Sequence, residues 1–211
     1  MTIIDLSSTL LAAAAPIRNE PVQARSTARL AALLDSAAAV IDEIGYERLT
    51  TAMVADRAGA SIGTVYRYFP DRIAVLQSLA ARNTERLLAA LSIELADERH
   101  TTAVDALLGV VSATAELFRV EPGYKSVRVG DVLDLLPPNS EASTHDVVAS
   151  AVTAGLGQRF SIDAAAGAAI ATAITVIDAL VSRAFARHAA GDAALLDEAR
   201  RVVRLVVSEV L

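Results

Sequence analysis

Apolar residues recur at spacings of three and four along almost the whole chain after Pro21, and no useful stretch alternates apolar and polar positions. The fold class this predicts is all-α. From Arg25 onward, Leu30, Leu33, Leu34, Ala37, Ile41 and Ile44 share one face of a first helix that stops at Gly45. Thr50 and Thr51 are each able to cap a second helix with a short apolar edge of Val54, Ala55 and Ala58, and Gly59 offers the left-handed residue that ends it. Ser61 caps a third helix running through Phe69. Pro70 closes it, because the residue before proline is pushed out of the helical region. Asp71 then caps a fourth helix, whose Ile73, Leu76 and Leu79 lead towards Leu87, Leu88 and Leu91.

Beyond a polar break at 97–102, periodic segments run over 103–120, 143–160, 163–190 and 192–211, with loop and room for one short helix in the Pro- and Gly-rich stretch 121–140. The uncharged run between Asp163 and Asp178 is 14 residues long, too short for the roughly 20 of a membrane span, and reads as a buried helix. Residues 6–15 are apolar but are preceded by Asp5 rather than by Lys or Arg, which argues against a secretory signal. Pro16 and Pro21 mark a loop leading out of an N-terminal arm.

The composition removes several chemistries. There is no cysteine, hence neither a disulfide framework nor a thiolate metal site, and His100, His145 and His188 lie too far apart to make ligand spacing. No nucleophile elbow, phosphate-cradling Gly loop or His-Glu-x-x-His occurs, so neither catalysis nor a cofactor is expected. The net charge of −6 excludes binding to nucleic acid by bulk charge. Its distribution alters that reading: residues 1–90 balance nine Arg against nine acids, and the whole −6 belongs to the remainder.

Aromatics are 4% of the chain, yet Tyr66, Tyr68 and Phe69 fall in one four-residue stretch around Arg67. Two short helices joined by a Gly-containing turn have the arithmetic of a helix-turn-helix. At about 100° per residue, with Val65 at zero, Phe69 stands near 40° and Ile62 near 60°, which makes these three the buried face. Gly63, Arg67 and Thr64 stand at about 160°, 200° and 260°, opposite the core, with Tyr66 and Tyr68 on the flanks. Arg67 can pair with guanine edges, the hydroxyls of Thr64, Tyr66 and Tyr68 can donate to phosphates, and Gly63 lets the backbone approach closely. The alternative is a surface hairpin whose Tyr and Arg side chains give solvated cover.

The stretch Thr51–Arg72, with its Ala-Gly-x-Ser-x-Gly-Thr-x-Tyr core followed by Tyr-Phe, resembles the DNA-binding head of the tetracycline-repressor (TetR) family. Ala60 stands where that family usually has Val, Val65 where it has Leu, and Arg72 where it has Lys. The resemblance implies that Thr51, Ser61, Thr64, Tyr66 and Tyr68 meet the DNA backbone, that Arg67 reads bases, and that Arg72 contacts a phosphate. Arg25 and Arg29 either reach phosphate or minor groove or are solvated helix-end charges.

The resemblance also implies a domain plan: an arm over 1–23, a three-helix helix-turn-helix DNA-binding domain over 24–71, and a helical ligand-sensing and dimerisation bundle over 72–211. In that body the alanine-rich last two helices would pair two subunits as a homodimer, and a cavity would accept a small-molecule effector. Residues placed to line it are Glu116, Phe118, Tyr124, Val127, Arg128, Thr175 and Asp178. Asp178, an acid in an apolar run, either meets a cationic ligand group or is paired structurally or at the dimer interface. The expected partner is an operator of double-stranded DNA, without a membrane, in the cytoplasm, and the expected action is repression relieved by the effector.

Overall fold

The computed structural model describes residues 24–127 and 143–211. The arm, Arg128 and most of the Pro- and Gly-rich stretch lie outside the described residues. Among the described residues eight α-helices follow one another: α1 (Ala24–Ile44), α2 (Thr51–Arg57), α3 (Ile62–Tyr68), α4 (Arg72–Ala96), α5 (Ala103–Val120), α6 (Thr144–Gly157), α7 (Ala164–Phe185) and α8 (Ala193–Val207), with a 3-10 turn at Tyr46–Arg48. Among the described residues there is no strand.

Helix starts follow local capping chemistry. The side chains of Thr50, Ser61, Thr102, Ser143, Asp163 and Asp192 each accept from a backbone N–H in the first turn of the helix that follows. Asp71 accepts from Ala74 N at 2.8 Å in the same way. At α6 the cap is reciprocal, and the hydrogen bonds from Ser143 hold the Asp146 carboxyl below its ordinary range. The sequence reading carries α7 to residue 190, but the helix ends at Phe185: Asp192 N turns back to Ala184 O at 3.0 Å, a closure that no proline announces.

The described chain divides into two compact units, 24–85 with 122–127 and 86–121 with 143–211, and α4 carries residues of both. In the first unit Leu33, Ala37 and Ile41 of α1 are fully buried with Val54 of α2, Val65 and Phe69 at α3, and Val75, Leu76 and Leu79 of α4. The turn at Gly123 packs on α1. Gly123 N donates to Asp42 Oδ1 at 3.2 Å, its φ is +71°, and a Cβ there would stand 2.8 Å from the Ala38 carbonyl oxygen. Only glycine satisfies both demands.

The second unit packs α5 to α8 around Leu107, Val110, Val111, Val152, Leu156, Ile170, Ile177, Val181, Val203 and Val207. Arg159 closes the break after α4 by donating to the carbonyls of Leu95, Asp97 and His100 at 3.0, 2.6 and 2.7 Å. The reading of α7 as a buried helix holds for one face alone. Ala164, Ala168, Ala171, Thr175 and Ala179 are exposed on the other. Among the described residues α7 is also the one helix long and apolar enough to cross a membrane by length and composition, and it carries Asp178, whose carboxylate lies 3.3 Å from His145.

Candidate nucleic-acid interface

The first unit presents the α2–turn–α3 hairpin. Gly59 takes φ +57°, and the chain reverses through Gly59 N to Asp56 O (3.1 Å) and Ala60 N to Ala55 O (2.9 Å). Thr50, not Thr51, caps α2 by accepting from Met53 N at 3.2 Å, which leaves the Thr51 hydroxyl to donate to the Tyr66 hydroxyl at 3.3 Å. That bond ties the start of α2 to the middle of α3. Ser61 Oγ accepts from Thr64 N at 3.2 Å and bonds Thr64 Oγ1 at 2.9 Å.

Two orientations differ from the helical-wheel expectation. Tyr68 is not a flank residue: its ring is 6% exposed, and its hydroxyl bonds Ser26 Oγ of α1 at 3.1 Å. Ile62 is not core, being 43% exposed. The wheel cannot separate them, since each stands about 60° from Val65, one on either side. Helix α1 covers the Tyr68 side, and among the described residues nothing comparable covers Ile62 in the first turn. The outward face of α3 is therefore Ile62, Gly63, Tyr66 and Arg67, all exposed, with Thr64 half-buried at its edge.

Arg72 is held from within the first unit. Its Nη1 donates to the Glu47 carbonyl at 2.7 Å, so the guanidinium is anchored to the 3-10 turn, with further N–H groups in its fork for an outside acceptor. Arg25 and Arg29 are exposed in the first two turns of α1.

Gly63 carries a specific signal. Among the described residues a Cβ built there meets nothing nearer than Ser61 Oγ at 3.9 Å, so their packing does not require glycine. Gly63→Ala is expected to stabilise the head by about 0.5–1 kcal/mol through helix propensity while weakening DNA binding, because the methyl group stands where a duplex would approach. Thermal unfolding and a binding titration on the same protein check it. A variant neutral or better in both contradicts the close approach.

Of the residues proposed for an effector, Arg128 lies outside the described residues and the other six are divided between the two units. Val127 belongs to the core of the first unit, where its carbonyl accepts from Asn83 Nδ2 at 3.4 Å, and Tyr124 is buried in that unit too. In the second unit Phe118 is buried and stacks on Phe185 at 5.3 Å. Glu116 is two positions from Phe118, about 200° around the helix, and is exposed with its carboxylate 3.1 Å from Arg119. Thr175 is exposed and donates to Ala171 O at 3.2 Å. Asp178 sits against His145. What the sequence reading missed is the outward Ile62 and the anchoring roles of Ser26 and the Glu47 carbonyl; contacts so distant along the chain leave no local signal.

Comparison with known proteins separates head from body. A family model described as bacterial regulatory proteins, tetR family, matches residues 33–79, and one described as tetracyclin repressor-like, C-terminal domain, matches residues 101–207. The HTH-type transcriptional repressor KstR of Rhodococcus jostii is 42% identical over 55 residues, covering 26% of each protein. The nucleoid occlusion factor SlmA of Pasteurella multocida is 27% identical over 100 residues, 47% of this chain and 49% of that protein. Thus the chain spans between a quarter and a half of the length of these curated relatives. A TetR-family transcriptional regulator from Streptomyces coelicolor superposes with a TM-score of 0.73 at 28% identity, over 88% of this chain and 98% of that one.

Proposed function

Because the chain belongs to the TetR family of bacterial transcriptional regulators, we propose that it acts as a ligand-responsive repressor, a homodimer that holds a palindromic operator and releases it when a small molecule binds. The observation that carries this reading is the outward face of α3, where Arg67 lies exposed beside a glycine that no contact among the described residues requires. In this reading Arg67 meets guanine edges in the major groove, while Thr51, Ser61, Thr64 and Tyr66 fix the register on phosphates, with Arg72 and Arg25 behind them. Tyr68 acts one step back, orienting α3 through Ser26.

Dimerisation follows from the size of the reader. A seven-residue helix gives little specificity alone, whereas two copies on a two-fold axis read both halves of a palindrome. The exposed small-residue stripe of α7, together with Leu205, 60% exposed on α8, supports those helices as the contact between subunits. The name of the KstR relative supports repression rather than activation. Helix α4, common to both units, is the element through which an effector bound by the body would reach the head. With no excess positive charge in the first 90 residues, binding rests on a few well-placed contacts made twice.

A mobility-shift titration on DNA flanking the protein's own gene tests this. Affinity is expected to fall as salt rises, with a log–log slope of about −0.9 for each phosphate neutralised. Binding without a salt slope contradicts a phosphate-anchored head.

A further inference from the structure

Ile62 is the residue of α3 whose chemistry the base-reading account leaves unused. It is large, apolar and 43% exposed, and it shares the outward face with Gly63, Tyr66 and Arg67. Ile62 and Tyr66 form one row along that face at i, i+4 spacing, and Gly63 and Arg67 form the row beside it. Among the described residues Ile62 keeps 43% of its surface exposed, although Val65 and Phe69, about 60° and 20° around the helix from it, are fully buried. The exposed part of this isoleucine gains burial when something apolar from outside covers it.

In a major groove the apolar feature is the C5-methyl of thymine, the one group among the base edges with no hydrogen-bonding capacity. We propose that Ile62 is a specificity-determining residue that packs on a thymine methyl in each operator half-site. The inference rests on the DNA-binding reading above and adds a base to it. Its position follows from helix geometry. Ile62 and Arg67 are five residues apart, about 7.5 Å along α3, a little over two base-pair steps. The thymine therefore lies about two base pairs from the guanine read by Arg67. Because the open site at Gly63 lets the helix backbone sit low in the groove, a side chain as short as isoleucine can reach the methyl.

The test uses the full-length protein and the duplex it protects, with each thymine in turn replaced by deoxyuridine, which removes the methyl group and nothing else. Wild type is expected to lose about fourfold in affinity per half-site at one thymine, the effect of one buried methyl group. Ile62→Ala is expected to bind the native operator more weakly by a similar factor and to be indifferent to uridine at that position, with Ile62→Val between the two. Unchanged thermal unfolding of both variants shows that they fold. If the operator is bound specifically but no uridine substitution matters, or if Ile62→Ala is as sensitive as wild type, the thymine contact is wrong and the DNA-binding reading stands. If wild type does not distinguish the operator from random duplex, that reading fails and this inference with it.

Discussion

Arg67→Ala is expected to abolish operator discrimination while leaving residual, salt-sensitive binding to any duplex. A bidentate arginine–guanine pair is worth about 1–3 kcal/mol of discrimination, and a dimer makes it twice, so the expected loss is about 2–6 kcal/mol, or roughly 30-fold to 10⁴-fold in Kd. Arg67 is exposed on the last turn of α3, so truncation leaves the core of the first unit intact and thermal unfolding should barely move. Competition titrations of operator against random duplex read the effect. Equal discrimination by wild type and variant would show that base reading lies elsewhere on the hairpin. Nonspecific affinity should change by much less, because the phosphate contacts proposed for Thr51, Ser61, Thr64 and Tyr66 carry no sequence information.

Phe69→Ala acts on stability instead. Phe69 is fully buried at the end of α3, in the cluster that joins α1, α2 and the start of α4, and its ring lies 6.5 Å from that of Tyr68. Phenylalanine-to-alanine truncation in a close-packed core costs about 3–5 kcal/mol, a large share of the 5–15 kcal/mol typical of a folded domain. Urea unfolding monitored by circular dichroism should show a loss of that size, and operator binding should fall with it because α3 is no longer held against α1. Phe69→Leu, which leaves a smaller void, should lose less and retain binding. A loss under about 1 kcal/mol for the alanine variant would mean that the head does not depend on this packing.

Much of the head is legible in the sequence because its determinants are local. The caps at Ser61 and Asp71, the left-handed Gly59, the stop at Pro70 and the α1 stripe each act within a few residues of where they stand. What is not legible depends on a neighbour far along the chain. The wheel sets Ile62 and Tyr68 symmetrically about Val65; which of them is covered depends on Ser26, 42 residues before Tyr68. Arg72 meets a carbonyl 25 residues away, and Gly123 lies against α1 some 80 residues upstream. The body is harder to read. Its apolar spacing shows that helices exist but not which of two apolar faces looks inward, so α7 reads as a buried helix although one of its sides is exposed, and Glu116 and Phe118 are grouped although they point apart.

In the proposed homodimer two copies of α3 enter successive major grooves of one DNA site. Nuclease footprinting of the wild-type protein on DNA flanking its own gene tests it most directly, with Arg67→Ala run alongside. One protected palindrome is expected, its half-site centres separated by about 10 base pairs or a multiple of that, protected by wild type and not by the variant. Uniform, sequence-independent protection would contradict it, whereas a footprint that the two proteins share would move base reading away from Arg67.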